Sequence, residues 1–559
     1  MKKITLALFI FTIINTAAFS QTIVSTAVQN KKVVLEEFTG INCVYCPQGH
    51  AITNTIKNAN PNNVFLINVH VGGYATPSGA QPDFRTSFGT GFAGQSALTG
   101  YPSATVNRNV FSGYSMTTGG TAMGRNYWTS AANQILAQTS YVNVAVESNI
   151  NVNTRLLTVH VEAYYTANSP VASNKLNVAL LQNNTLGPQT GGNMGENYNH
   201  QHRLVNMLTG QWGEVITTTT LGTFVDRTYT YTIPQDYNFI SAELGDFELV
   251  AFVTETQQKI ISGNGSTPVY LGLPASDAKV KEVNPISAQC KNSLSPVITI
   301  QNSGQSSLTN LAINYSINSG SPQVYNWSGN LQSLAKATVT LPNITYTILP
   351  TNTLNISLPT DAVLANNTGS ITFDKSLEST NTLSLNFQTD AYGDEVSWNI
   401  INSAGTSVAS GGPYANSASI IVPVTLPADD CYSFNLIDAY GDGGGPVTVT
   451  DSNNLEVYYT DGAYGTGESK NFASGSFLNT SVFSEIKFSL YPNPSNGLLS
   501  LNTPESLNIV ITDITGKIVF ERNDVKNNES INLTNLQKGI YIAKLKGENT
   551  ENVQKLILN

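Results

Sequence analysis

Apolar and polar residues alternate with a period of two in one segment after another from Tyr141 onward: YVNVAVES, LLTVHVEAYYT, KLNVALLQ, FELVAFVTE and, farther along, LSLNFQTD and YSFNLIDAY. A strand turns successive side chains to opposite faces, so each segment presents one dry face and one wet face, unlike a helix, whose apolar stripe recurs about every three to four residues. A dry face must be covered, which predicts a mainly β chain built of sandwiches. Composition agrees, because only 11% of residues are charged and the helix formers Lys, Glu and Arg are correspondingly few. A chain of 559 residues holds several domains at about 100–200 residues each. Its net charge of −10 leaves no basic stripe for phosphates, which argues against a nucleic-acid partner.

The ends of the chain predict its destination. Residues 1–20, MKKITLALFIFTIINTAAFS, place Lys2 and Lys3 before an apolar run and small residues before Gln21, the pattern of a cleaved signal peptide. That run is too short to span a bilayer, and no other stretch supplies the roughly 20 apolar residues needed, so no transmembrane segment is expected. Residues 484–559 read as hairpins of a small β-sandwich, with turns at Asp513 to Lys517 and at Lys538-Gly539. Here Tyr491-Pro492-Asn493-Pro494, Asp513-Ile514-Thr515-Gly516-Lys517, Gly539-Ile540-Tyr541 and the terminal Lys555 resemble the C-terminal sorting domain of the Bacteroidota type IX secretion system. The resemblance implies a secretion-machinery partner acting through this domain, passage across the outer membrane, and attachment to the cell surface or release.

Cys43 and Cys46 form CVYCP between the strand-like KKVVLEEFTG and a segment that continues as a helix from about Pro47. Unpaired N–H groups and the helix dipole favour a thiolate at such a place, making Cys43 the attacking group and Cys46 the resolving one. A static Cys43–Cys46 disulfide is the competing reading. VFLINVHVG at 64–72 suits a buried strand, and Tyr101-Pro102 stands just before another. Together these resemble the thioredoxin fold. That resemblance implies a catalytic set of Cys43, Cys46, Glu37 as proton shuttle and Pro102 as a cis-proline facing the substrate, with a protein thiol as the expected partner. Pro47 after the second cysteine and Asn42 in place of the usual Trp depart from the pattern. More narrowly, EEFTGINCVYCPQGH and NYNHQHRLVNMLTGQWGEVI at 197–216 resemble the Omp28-related outer membrane proteins. The Gly-rich segment 86–100 is the candidate cover over Cys43.

Elsewhere the chemistry is sparser. Glu196, His200 and His202 offer three metal-ligating side chains, and His50 could stand a turn after Cys46, but neither set makes a full zinc shell. Cys290 and Cys431 are open to two readings, a cross-domain bridge or two buried thiols. DAYGD occurs twice between strands, bringing Asp390 with Asp394 and Asp438 with Asp442, and Asp461-Gly462-Ala463-Tyr464-Gly465 resembles a third, degraded copy. Paired carboxylates suit calcium, which takes about six to eight oxygens, whereas Asp and Gly also build tight turns through local backbone bonds. Tyr392, Trp398 and Tyr440 nearby are candidate platforms for a sugar ligand, with core packing the competing reading.

The expected architecture is a signal peptide (1–20), an α/β thioredoxin-like domain (31–140), an Omp28-type β-sandwich (141–275), an Ig-like β module (276–375), a β-sandwich with the DAYGD loops (376–480) and the sorting domain (484–559). Two functions compete: thiol-disulfide exchange on the cell surface, and non-enzymatic binding or adhesion with a structural CxxC. No GxSxG or HExxH motif supports a hydrolase.

Overall fold

Strands make up 48% of the chain and helices 9%, and the α-helices of the described residues are confined to the stretch from Cys46 to Leu136. The computed structural model describes residues 22–79, 81–192, 195–441, 443–475, 488–503, 505–547 and 551–559; the expected signal peptide lies outside the described residues.

The amino-terminal region runs β1 (Val33–Thr39), α1 (Cys46–Ala59), β2 (Val64–His70), α2 (Gly89–Ser96), β3 (Ser103–Val106) and α3 (Trp128–Leu136). β1 pairs with β2 in parallel and with β3 antiparallel. Both β1 and β2 are buried along their whole length, as their near-continuous apolar runs require. One face packs on α1 and α3 through Val33, Leu35, Ile56 and Trp128. The other packs on α2 through Val34, Phe38, Val69 and Phe92.

Next come β4 (Val142–Asn151), β5 (Leu156–Tyr165), β6 (Asn174–Gln182), β7 (Thr185–Gly187), β8 (Tyr198–His200), β9 (Arg203–Met207), β10 (Glu214–Ile216), β11 (Phe224–Thr232), β12 (Phe247–Thr254), β13 (Ile260–Ser266) and β14 (Val269–Leu271). These do not close on themselves. One sheet runs β13-β12-β6-β9-β2-β1-β3, with β10 added on β6. Its seam is Asn68 opposite Arg203, where the Asn68 N–H donates to the His202 carbonyl and Nδ2 to that of Gln201, each at 2.8 Å. The division expected between residues 140 and 141 therefore falls inside one hydrogen-bonded sheet. The reason lies in β6 and β12, which are apolar on both faces. Leu176, Val178, Leu249 and Ala251 pack against the second sheet, β11-β5-β4-β14, while Ala179, Leu181, Val250 and Phe252 join the core beneath α2.

Three further cores follow, spanning residues 278–373, 383–472 and 488–558. The first two units are tied by a Cys290–Cys431 disulfide, so the bridge, not the pair of buried thiols, is what the fold contains. Lys336 reaches Asp246 at 2.9 Å and Lys281 reaches Glu243 at 2.9 Å, joining the first of these units to the preceding sheet region. In the last unit the DITGK segment is a tight turn, with Asp513 Oδ1 accepting from the Thr515 and Lys517 N–H groups and Gly516 at φ +87°. Among the described residues, no helix is long and apolar enough to cross a membrane.

Candidate functional site

β1 delivers the chain through Gly40 into a turn holding Cys43, and Cys46 opens α1. Pro47 sits in the first helical turn, where its missing N–H costs nothing. The two cysteines are joined as a disulfide. The peptide between Tyr101 and Pro102 is cis, and Pro102 is buried. Gly49 shows how tightly α1 meets its neighbours: a Cβ there would lie 2.3 Å from Glu37 Oε1, 3.1 Å from Trp128 and 3.2 Å from Pro102. Glu37, Pro102 and the first turns of α1 thus converge, and glycine leaves the room in which the carboxyl sits.

Glu37 is fully buried, and burial pushes its carboxyl well above the usual range, against smaller opposing effects from Thr53 and Arg125. Thr53 Oγ1 donates to Oε2 at 3.2 Å, while Oε1 has no hydrogen-bond partner among the described residues. His50 stands 3.8 Å from Oε1. Burial, with His200 and His202 nearby, brings His50 down to about 3; burial brings His200 to about 4 and holds His70 well below its ordinary value. With its imidazole held neutral by burial, His50 does not form an ion pair with Glu37 at neutral pH. The Tyr198 hydroxyl meets His50 Nδ1 at 2.6 Å, and His50 Nε2 meets Thr39 Oγ1 at 2.9 Å.

The disulfide is covered. Cys43 is 3% exposed and Cys46 0%, whereas Val44 and Tyr45 between them are 53% and 56% exposed. The cover is not the Gly-rich segment 86–100, whose helix α2 packs on the core containing Phe38 and Val69. Residues 188–192, emerging from β7, form it instead. Gln189 Nε2 donates to the carbonyls of Gly40 (3.1 Å) and Cys43 (2.9 Å), and the Thr190 N–H donates to Ile41 at 2.7 Å. Gly191, at φ +80°, lies so close that a Cβ would sit 2.1 Å from the Val44 carbonyl oxygen. His200 holds the cover from below through the Pro188 carbonyl at 3.1 Å. The NYNHQHR segment therefore supplies Tyr198 to α1 and His200 to the lid. Tyr198 and Gln189 were not foreseen as site residues, and His50 was weighed only as a partial zinc ligand; for Tyr198 the one signal was the run of Tyr, His and Asn residues in that segment.

Other expected sites fare differently. His202 bonds Glu248 through Nδ1 while His200 serves Pro188, so these two histidines do not share one ligand point. The DAYGD loops meet at one end of their sandwich: the Asp390 N–H donates to the Gly444 carbonyl at 3.3 Å, and Gly443 abuts Gly462 of the third copy. Asp390 Oδ1 accepts from the Tyr392 N–H at 2.8 Å, and Asp438 Oδ1 from the Gly441 N–H, the local turn bonding that Asp and Gly offer. Asp390, Asp394 and Asp438 do not belong to a three-ligand cluster among the described residues, and Asp442 lies outside them. Trp398 is a core residue, 3% exposed and bonded to Tyr414, whereas Tyr392 and Tyr440 are 58% and 75% exposed.

Two known families match parts of the chain. Residues 91–264, which include the lid and the NYNHQHR segment, match the outer membrane protein Omp28 family, and residues 489–559 match the secretion system C-terminal sorting domain. The chain thus carries an Omp28-related region and a type IX C-terminal sorting domain. Omp28-related cargo of this kind is exported, to the cell surface or the extracellular space. No curated protein matches the chain. Among solved structures, HBP35 of Porphyromonas gingivalis is similar at 16% identity, over 62% of this chain and 98% of that one, with a TM-score of 0.33. A domain of the outer membrane lipoprotein Omp28 from Porphyromonas gingivalis is similar at 17% identity, over 23% and 90%, with a TM-score of 0.18. Protein AGR_C_4864 from Agrobacterium tumefaciens follows at 14% identity, over 43% and 95%, with a TM-score of 0.28.

Proposed function

We propose that the amino-terminal region is a thioredoxin-like redox module in which Cys43–Cys46 exchanges with a protein dithiol at the cell surface once the 188–192 lid is lifted. The observation that carries this reading is the convergence at Gly49 of α1, which Cys46 opens, with buried Glu37 and Pro102. In the oxidised protein a substrate thiolate attacks Cys43 Sγ, the Cys43–Cys46 bond breaks, and the leaving Cys46 thiolate takes the Glu37 proton. The second substrate thiol loses its proton to Glu37 and attacks the mixed disulfide. Cys43 leaves as a thiolate, and the substrate is oxidised by two electrons.

The test is exchange with reduced insulin or glutathione. Wild type is expected to turn over, and Cys43→Ser to lose at least about tenfold of the rate; a rate unchanged by Cys43→Ser, with Cys43 of the reduced protein no more alkylated at pH 6 than an ordinary thiol, sinks catalysis. Burial of the disulfide beneath Gln189 favours a second reading, a surface binding or adhesion protein in which Cys43–Cys46 is structural. That reading expects a ligand for residues 141–475, sought in a glycan and host-protein binding screen of the full chain.

For the DAYGD loops we propose calcium at the end where the copies meet, held by Asp390, Asp394, Asp438 and Asp442 with backbone carbonyls completing the shell. Calcium is expected to raise the melting temperature of the full chain by several degrees over chelator. Superimposable melting curves and no bound ion by elemental analysis remove the site.

A further inference from the structure

The outer face of the second sheet carries an arrangement separate from the redox site. His160 and Glu162 alternate on β5, and the register places Asp226 of β11 directly opposite Glu162 and Glu147 of β4 opposite His160. Three carboxylates thus share a face with one imidazole. Two like charges directly opposite on neighbouring strands repel. Arg227, next to Asp226 in sequence, is turned away by the strand alternation and is engaged with Glu214 at 2.7 Å and with the Asp226 main-chain carbonyl.

His160 and Glu162 are each only 3% exposed, which is unusual for the outer face of a sheet. The amino-terminal strap covers them: the Ile23 and Val24 N–H groups donate to Glu162 Oε2 at 2.7 and 2.9 Å, and Asn143 Nδ2 ties down the Ser25 and Ala27 carbonyls. One oxygen of Glu162 is thereby anchored, and the other, Oε1, lies 3.7 Å from His160 Nε2. Asp226 Oδ1 lies 3.0 Å from the same nitrogen. The three ligand atoms all fall within 4.8 Å of one another.

We infer that His160 Nε2, Glu162 Oε1 and Asp226 Oδ1 form a zinc site. Metal–ligand bonds of about 2.0–2.2 Å in tetrahedral array separate the ligands by about 3.3–3.6 Å, and the observed 3.0 and 3.7 Å bracket that spacing. An imidazole with two carboxylates suits a borderline divalent ion, whereas calcium takes an all-oxygen shell and magnesium an octahedron of oxygens rich in water. The two backbone N–H groups on Glu162 do what outer-shell partners do in metal sites, orienting a ligand before the ion arrives. Asp226 stands on an edge strand with its side chain 56% exposed, which provides the entry path and leaves the fourth position to water.

The experiment is zinc titration by calorimetry on the untagged full chain, kept oxidised so that no cysteine thiol competes. One zinc per chain is expected at micromolar affinity or tighter, weakened at least about tenfold in Asp226→Asn and in His160→Asn, and unchanged in His202→Asn. Because His160 is buried and its replacement can unfold the sheet, Asp226→Asn at the exposed edge carries the decision. A folded wild type that takes up no zinc, or an Asp226→Asn variant that binds as tightly as wild type, overturns the site.

Discussion

Arg108→Ala is expected to destabilise the long sheet by about 3–5 kcal/mol, because it strands a buried carboxylate. Arg108 and Glu36 are a two-pronged pair, Nε to Oε2 at 2.7 Å and Nη2 to Oε1 at 2.5 Å, with side chains 1% and 2% exposed. The guanidinium also lies over the rings of Phe92, Phe252 and Trp212 at 4.8, 5.4 and 5.6 Å, so truncation empties space in the core as well as removing charge. Hydrogen exchange at the β1 and β12 amides reads this sheet apart from the other modules. Replacing both residues by Leu should recover much of the loss, since an apolar pair of similar volume carries no desolvation cost. A deficit below about 1 kcal/mol contradicts this account.

The neighbouring Glu37 receives the opposite treatment. One residue along the same strand, its carboxyl turns to the other face, has no paired guanidinium, and burial pushes its pKa well above the usual range. From sequence the two glutamates of LEEFT are indistinguishable as charges; only the likeness of the surrounding motif singled out Glu37, and nothing singled out Glu36, whose partner lies 72 residues away. Range in sequence is what separates the legible from the hidden here. Strand alternation, the helix after CVYCP, the DITGK turn and the Asp–Gly turns of the DAYGD loops are set by neighbours within a few residues, and the β-rich architecture followed from them. The seam at Asn68 and Arg203 and the Gln189 bond to Cys43 are contacts between segments more than a hundred residues apart. No local pattern encodes them. Hence the boundary expected after residue 140 dissolves into a shared sheet, and the cover over the disulfide comes from the polar insertion after β7 in place of the Gly-rich segment. His160, Glu162 and Asp226 were hidden for the same reason: LLTVHVEAYYT reads as ordinary alternation until the register sets Asp226 beside it.

Gln189→Ala is the change that separates a gated disulfide from a sealed one. Nε2 of Gln189 is shared among the carbonyls of Gly40, Cys43 and Thr190, and its loss leaves buried acceptors unpaired while the lid stays shut. That costs about 2 kcal/mol, which raises the open population about 30-fold. If exchange passes through lid opening, reduction of Cys43–Cys46 by a small dithiol should accelerate by that factor in the variant. Global destabilisation would also speed reduction, and denaturant tells the two apart. Opening a short segment exposes little surface, so the rate through the lid should be nearly flat in low urea, whereas reduction through global unfolding rises steeply with urea. A rate that climbs steeply from the first additions of urea in both proteins means that the disulfide is reached only by unfolding; Cys43–Cys46 is then a structural staple, and the binding reading of this surface protein takes precedence.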